Sequence, residues 1–102
     1  MKKIKKISAA VLSSTMLVVS GAVALAVTTN VDGGTWDRGV DRRTPFHWVV
    51  WSNYHHSGRR HRTWVTNGRG DQKYSNWADP NQWAKVSMGA TLGTCEAHYT
   101  FG

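Results

Sequence analysis

The sequence has few of the residues that commonly cross-link or activate small proteins. Its 102 residues include one cysteine, Cys95, and two prolines. A single cysteine excludes an intramolecular disulfide, so Cys95 is either a buried small hydrophobic residue or one half of an intermolecular bridge that joins a homodimer. We expect burial, because free cysteine is among the most frequently buried residue types.

Recognisable catalytic machinery is also missing. Only six Asp and Glu occur, and the chain contains no G-x-S-x-G, no H-E-x-x-H and no paired-cysteine zinc spacing. Cys95 and His98 lie three residues apart, which places their side chains on opposite faces of a strand. The adjacent His55 and His56 diverge for the same reason, and a pair made by His56 and His61 has too few ligands for a metal. We therefore predict no enzyme activity, no cofactor and no metal site.

The N-terminus has the pattern of an export signal. Four lysines within residues 2–6 precede an uncharged, mostly apolar run over residues 7–27, and Ala24-Leu25-Ala26 has the small-x-small pattern that signal peptidases cleave. We expect residues 1–26 to be a helical signal peptide, cleaved after Ala26, and residues 27–102 to be secreted as one domain. The alternative is an uncleaved membrane anchor, because the run is nearly long enough to span a bilayer.

Removing this signal would change the charge of the product. The formal charge of +7 includes the four N-terminal lysines, so residues 27–102 keep nine Lys and Arg against six Asp and Glu, or about +3. A mild positive charge suits attraction to an anionic bacterial surface and does not require nucleic acid as a partner.

Alternating hydrophobicity predicts the fold of the secreted part. In residues 83–92 and 94–101 apolar and polar side chains alternate with period two, as in strands with one buried face. Turn residues separate several such short segments, so we expect a small antiparallel β-sandwich with its core supplied by tryptophans. Residues 27–32 are interpreted as a loose arm and residues 41–45 as a loop.

Residues 48–67 combine aromatic and basic side chains. Two Val-, Trp- and Thr-rich runs, 48–56 and 60–67, flank Ser57-Gly58 and predict a β-hairpin. Aromatic faces stack on sugar rings and arginines bind phosphates bidentately. Core packing is the alternative for one or two of the tryptophans. The predicted target-binding residues are Trp51, Tyr54, His55, His56, Arg59, Arg60, Arg62 and Trp64.

Several short motifs, in this order, resemble the lactococcin 972 family of bacteriocins. They are Gly34-Thr35-Trp36 with Gly39, and the segments 52–56, 65–68, 83–87 and 97–101. The resemblance implies a small exported β-sandwich that inhibits related Gram-positive bacteria. It further implies binding of lipid II, the lipid-linked cell-wall precursor, and arrest of septum formation without pores. A membrane immunity or transporter protein is the second partner that it implies.

The residues leave one other function open. The same aromatic and basic surface would suit a non-lytic secreted module that binds glycan or protein at the producer's own cell surface. Such a module would be retained by isolated cell wall and would not inhibit growth.

Overall fold

The computed structural model describes residues 13–19, 25–44 and 47–102. These residues form eight strands: β1 (Ser13–Val19), β2 (Leu25–Val31), β3 (Gly34–Thr44), β4 (His47–His56), β5 (His61–Thr66), β6 (Gln72–Tyr74), β7 (Gln82–Ala90) and β8 (Gly93–Phe101). Within the described residues, no helix is long and apolar enough to cross a membrane.

The strands form two four-stranded sheets, all of whose described pairs are antiparallel. Sheet I has the order β1-β8-β5-β6, and sheet II has the order β2-β3-β4-β7. Four strands, β4, β5, β7 and β8, bury alternate residues against the opposite sheet, as seen for Ala84 and Val86 in β7 and for Cys95, Ala97 and Tyr99 in β8. The predicted all-β sandwich and the predicted inward faces of β7 and β8 are therefore confirmed. The predicted tryptophan core is wrong: all six tryptophans are described, but Trp36 alone is buried, and Tyr54 and Tyr99 are the largest fully buried side chains.

Stacked aromatic rings occupy the space between the sheets. Tyr54 of β4 lies parallel to Tyr99 of β8, with ring centroids 4.1 Å apart, and Trp36 of β3 meets Tyr99 edge-on at 4.8 Å. Such pairs stabilise a core by about 0.5–1.5 kcal/mol each beyond the area they bury. Val50 from sheet II and Val65 from sheet I belong to the same core cluster as these rings. Cys95 also belongs to this cluster and is fully buried.

Buried hydrogen bonds connect the sheets through Ser52. The indole Nε1 of Trp36 donates to Ser52 Oγ at 3.0 Å, and that hydroxyl donates to the carbonyl of His98 in sheet I at 2.9 Å. The Tyr54 hydroxyl donates to the Val31 carbonyl at 2.9 Å. These bonds satisfy polar groups that would be costly to bury alone.

The predicted β4–β5 hairpin is wrong. β4 pairs with β3 and β7, whereas β5 pairs with β8 and β6, so the two strands lie in different sheets. Both strands bury one face: Val50, Ser52 and Tyr54 in β4 face His61 and Thr63 in β5 across the core. A side-by-side hairpin would not bring those faces together. We call the connection, residues 57–60, the β4–β5 arch.

Two shorter predictions are also corrected. Residues 27–31 are strand rather than a loose arm, because β2 pairs with β3 from Leu25↔Val40 to Val31↔Gly34. β3 itself continues to Thr44, so most of the predicted loop at 41–45 is paired with β4, with a register shift between Arg42 and Thr44. Pro45 lies outside the described residues.

The predicted signal-peptide helix falls largely on residues 1–12 and 20–24, which lie outside the described residues. The described segment between them, Ser13–Val19, is a strand that pairs with the edge of β8, from Ser13↔Tyr99 to Val19↔Gly93. The expected cleavage point after Ala26 falls inside β2.

Candidate functional site

The eight predicted binding residues lie in four places rather than on one surface. Tyr54 is fully buried, and burial raises the pKa of its phenol, so this side chain belongs to the core. Trp51 and His55 lie on the outer face of sheet II, whereas His56, the last residue of β4, and Arg59 lie at the arch. Arg60, Arg62 and Trp64 lie on or beside the outer face of sheet I.

Histidines hold the arch in shape. His56 Nδ1 accepts hydrogen bonds from the backbone N–H groups of Gly58 and Arg59, both at 3.0 Å, so its Nε2 carries the hydrogen and donates to the Asp32 carbonyl at 3.1 Å. The Arg59 guanidinium lies over the Phe101 ring, 4.1 Å from its centroid. His56 and the Arg59 backbone therefore act chiefly in the fold.

His61 fixes the other end of the arch. It is fully buried, and its two ring nitrogens lie 2.7 Å from the Arg59 carbonyl and 2.8 Å from the Gln82 carbonyl. These contacts join the start of β5 to the arch and to the start of β7. Among the described residues, no cluster of three or more His, Cys, Asp or Glu side chains is arranged to hold a metal ion.

The outer face of sheet I carries a row of stacked rings. The Trp64 ring lies between Tyr74 of β6, at 5.5 Å, and His98 of β8, at 4.7 Å and nearly parallel. These three residues are direct neighbours across the sheet, since Trp64 pairs with Tyr74 on one side and with His98 on the other. His98 Nε2 lies 2.8 Å from Glu96 Oε1 on the same face.

Arginines continue this row onto Trp77. The Arg62 guanidinium carbon lies 4.6 Å from the ring centroids of both Tyr74 and Trp77, and that of Arg60 lies 5.0 Å from the Trp77 ring. We call Arg60, Arg62, Trp64, Tyr74, Trp77 and His98 the cationic–aromatic face. Three of its members, Tyr74, Trp77 and His98, were not among the residues predicted from sequence.

Backbone bonds hold Trp77 against β5. Ser75 N–H donates to the Thr63 carbonyl at 2.8 Å, and Ala78 exchanges two hydrogen bonds with His61, at 2.7 and 3.0 Å. The segment after β6 therefore runs beside β5 and brings the Trp77 ring to the arginines. No local sequence pattern indicates this pairing, because it depends on a single bridge rather than on a strand.

Among the described residues, His98 is the one member of this face that lies beside a carboxylate. Within the described residues, the salt bridges join Arg69 to Asp71 at 3.6 Å and His98 to Glu96 at 2.8 Å, so neither Arg60 nor Arg62 has an acidic partner. Both guanidinium groups lie close to the Trp77 ring. Guanidinium groups bind phosphate oxygens bidentately, so the two arginines offer an anion two binding groups on one surface.

A comparison with protein families supports a specific assignment. Residues 32–99 match the family model described as Bacteriocin (Lactococcin_972). The chain belongs to the lactococcin 972 family of bacteriocins. The matched region begins at the turn between β2 and β3 and ends at Tyr99, whose hydroxyl is hydrogen-bonded to the Asp32 carboxylate. No curated protein and no solved structure gives a significant match to the chain.

Family membership confirms the resemblance noted in the sequence. It indicates a bacteriocin, a class whose members are typically secreted and non-enzymatic. The lactococcin 972 region contains β3 to β7, most of β8 and every residue of the cationic–aromatic face.

Proposed function

We propose that residues 27–102 form a secreted bacteriocin that inhibits related Gram-positive bacteria by binding lipid II and blocking septum formation, without forming pores. The observation that carries this proposal is the pair of arginines, Arg60 and Arg62, held over Trp77 with no carboxylate partner in the part of the chain that the structure describes. Lipid II offers a pyrophosphate to such a pair and sugar rings to the neighbouring aromatic side chains. A membrane immunity or transporter protein in the producer would be the second partner.

Rigidity of the face supports a role in binding. The Arg62 guanidinium carbon lies 4.6 Å from the ring centroids of both Tyr74 and Trp77, and its Nε is buried without a hydrogen-bond partner among the described residues. Holding the arginine in place lowers the entropy that binding would otherwise cost. A solvated arginine whose only role was solubility would not need this support.

Cell assays with matched arginine variants test the proposal. Purified residues 27–102 should arrest division of a sensitive Gram-positive strain, with septal defects and without membrane depolarisation, and added lipid II should suppress the effect. Arg62→Gln should raise the inhibitory concentration roughly tenfold or more, since a charge-assisted contact contributes about 1.5–3 kcal/mol.

Arg69→Gln is the matched control, because Arg69 is exposed on the β5–β6 turn and is already paired with Asp71. It should inhibit growth as the parent does. Rapid dye leakage from treated cells, or equal potency of Arg62→Gln and parent, would contradict the proposal.

The second candidate function is a non-lytic glycan- or protein-binding module at the producer's surface. The outer face of sheet II favours it, because Trp51 and the exposed Trp83 lie there beside polar side chains. This candidate predicts retention of the protein by isolated producer cell wall, together with no growth inhibition in any strain tested.

A further inference from the structure

A groove runs along β7, on the side of the protein next to the cationic–aromatic face. It consists of two adjoining hollows of about 660 and 400 Å³, which share Asn76 and Lys85. The larger hollow is lined by Trp51, Asn53 and Lys73, among others, and the smaller one includes Trp83. We call the two together the β7 groove. Of the residues predicted from sequence to bind a target, only Trp51 lines it.

Strand register places polar side chains in a row across the floor of the larger hollow. Asp37 of β3 is directly opposite Asn53 of β4, and Asn53 is directly opposite Lys85 of β7. Their Cβ atoms are therefore about 4.5–5.5 Å apart from one residue to the next. The row presents a carboxylate, an amide and an ammonium group side by side, and all three can hydrogen-bond to hydroxyl or acetamide groups.

An indole lies in the next row. Trp51 pairs with Gly39 on one side and with Ser87 on the other, and it lines the larger hollow. At the far end of the groove Trp83 is 45% exposed, with the His55 ring 5.3 Å away and Lys85 Nζ 5.9 Å from the Trp83 ring centroid. Aromatic surface thus lies at both ends, with polar groups between.

We infer that the β7 groove binds a saccharide of at least two rings that carries an anionic group. One sugar ring would stack on Trp51 and another on Trp83, while Asn53 and Asn76 bind ring substituents. Lys73 and Lys85 line the larger hollow with Asp37 as its only lining carboxylate, so this end of the groove favours an anion. A polar hollow with a flat aromatic surface and a few convergent hydrogen-bonding groups suits a sugar better than an apolar ligand.

This inference rests on the proposed function and extends it. Tyr74 belongs both to the groove lining and to the cationic–aromatic face, so the two surfaces are continuous. One precursor molecule could place its phosphates at Arg60 and Arg62 and its sugars in the groove.

The test uses two disaccharides that differ by one acidic group. Residues 27–102 are titrated by calorimetry with N-acetylglucosaminyl-N-acetylmuramic acid, which carries a carboxylate, and with neutral N,N′-diacetylchitobiose. The acidic sugar should bind at least several-fold more tightly. Trp51→Ala should weaken binding of both sugars about tenfold, and Lys73→Gln with Lys85→Gln should abolish the preference for the acidic one.

Leu92→Ala is the matched control, because Leu92 is a large exposed side chain outside the groove. It should bind as the parent does, and melting curves verify that each variant is folded. Absence of binding at millimolar sugar, or binding unchanged in Trp51→Ala, would overturn the inference. Equal affinity for the two sugars would overturn the roles given to Lys73 and Lys85.

The outcomes separate this inference from the proposed function. If the protein binds the disaccharide through Trp51 but inhibits no strain, the groove inference stands and the bacteriocin mechanism is refuted. If lipid II suppresses killing, but the protein binds no disaccharide and Trp51→Ala kills as well as the parent, the mechanism stands and the groove inference is refuted.

Discussion

Replacing Ser52 by alanine should weaken the sandwich more than any small surface change. Ser52 is fully buried and links the sheets, since its hydroxyl accepts from the Trp36 indole and donates to the His98 carbonyl. Alanine leaves the buried indole N–H without an acceptor, at about 1–3 kcal/mol, and loses the second bond, at about 1 kcal/mol. We expect a total loss of about 3 kcal/mol in the free energy of unfolding.

For a domain of this size, that loss lowers the melting temperature by roughly 10–25 °C. Thermal unfolding followed by circular dichroism, with urea titration for the free energy, measures it. Ser87→Ala is the control, because Ser87 is exposed on the outer face of β7 and should change stability by less than about 0.5 kcal/mol. A Ser52→Ala protein that melts within 2–3 °C of the parent, a shift of less than about 1 kcal/mol, would refute the buried bond between β4 and β8.

Three further predictions concern His61 at the β4–β5 arch, the buried Cys95 thiol and Tyr54 phenol, and strand β1. His61→Ala should lower the free energy of unfolding, measured in urea, by about 3 kcal/mol or more, because it removes a buried imidazole that contacts the Arg59 and Gln82 carbonyls and leaves a cavity. His55→Ala should lower it by about 1 kcal/mol or less, and equal losses would contradict the role given to His61 at the arch. Burial raises the pKa of the Cys95 thiol above its ordinary 9.0 and also raises that of the Tyr54 phenol. As the pH rises, the unfolded chain therefore loses these two protons at a lower pH than the folded protein does, so the free energy of unfolding should fall above about pH 9. The fall should be less steep in Cys95→Ala, and a free energy of unfolding that stays constant up to about pH 11 would contradict this prediction. Because β1 covers one edge of β8, amides on that edge should exchange with deuterium faster in residues 27–102 than in the full chain, and identical exchange would contradict the β1 pairing.

Local patterns in the sequence were enough to predict the last two strands of the sandwich and their buried faces. Period-two alternation in β7 and β8 identified the buried faces, because each strand has one side in the core and one in solvent. The turn after β5 is also built from local chemistry: Asn67 Oδ1 accepts from the N–H groups of Arg69 and Asp71, as asparagine does in tight turns, and Gly70 takes a positive φ of 90°.

Pairing between strands could not be predicted in the same way. A short Gly-containing connection fits a hairpin and an arch equally well, and the choice depends on which faces must meet across the core. Tyr54 shows the consequence, because in the predicted hairpin it was placed toward a partner, whereas it stacks on Tyr99 from a strand 45 residues later in the chain. Cys95 was predicted correctly as buried, because a thiol on the inward face of a strand can pack among apolar residues without forming a disulfide.

The candidate site was predictable only in part, for a related reason. Arg60, Arg62 and Trp64 are close in sequence and were identified from their composition. Tyr74 and His98 join them through the neighbours of β5 in sheet I, and no local signal gives the identity of those neighbours.

Direct titration of lipid II tests the central claim most directly. Lipid II in detergent micelles is titrated into residues 27–102 and into the variants Arg60→Gln with Arg62→Gln, and Arg69→Gln, with binding followed by tryptophan fluorescence. We predict that the double variant binds roughly a hundredfold more weakly, or not at all, while Arg69→Gln binds as the parent does. Equal affinity of all three proteins, or no binding by the parent, would contradict the assignment of the cationic–aromatic face as the site that binds the precursor.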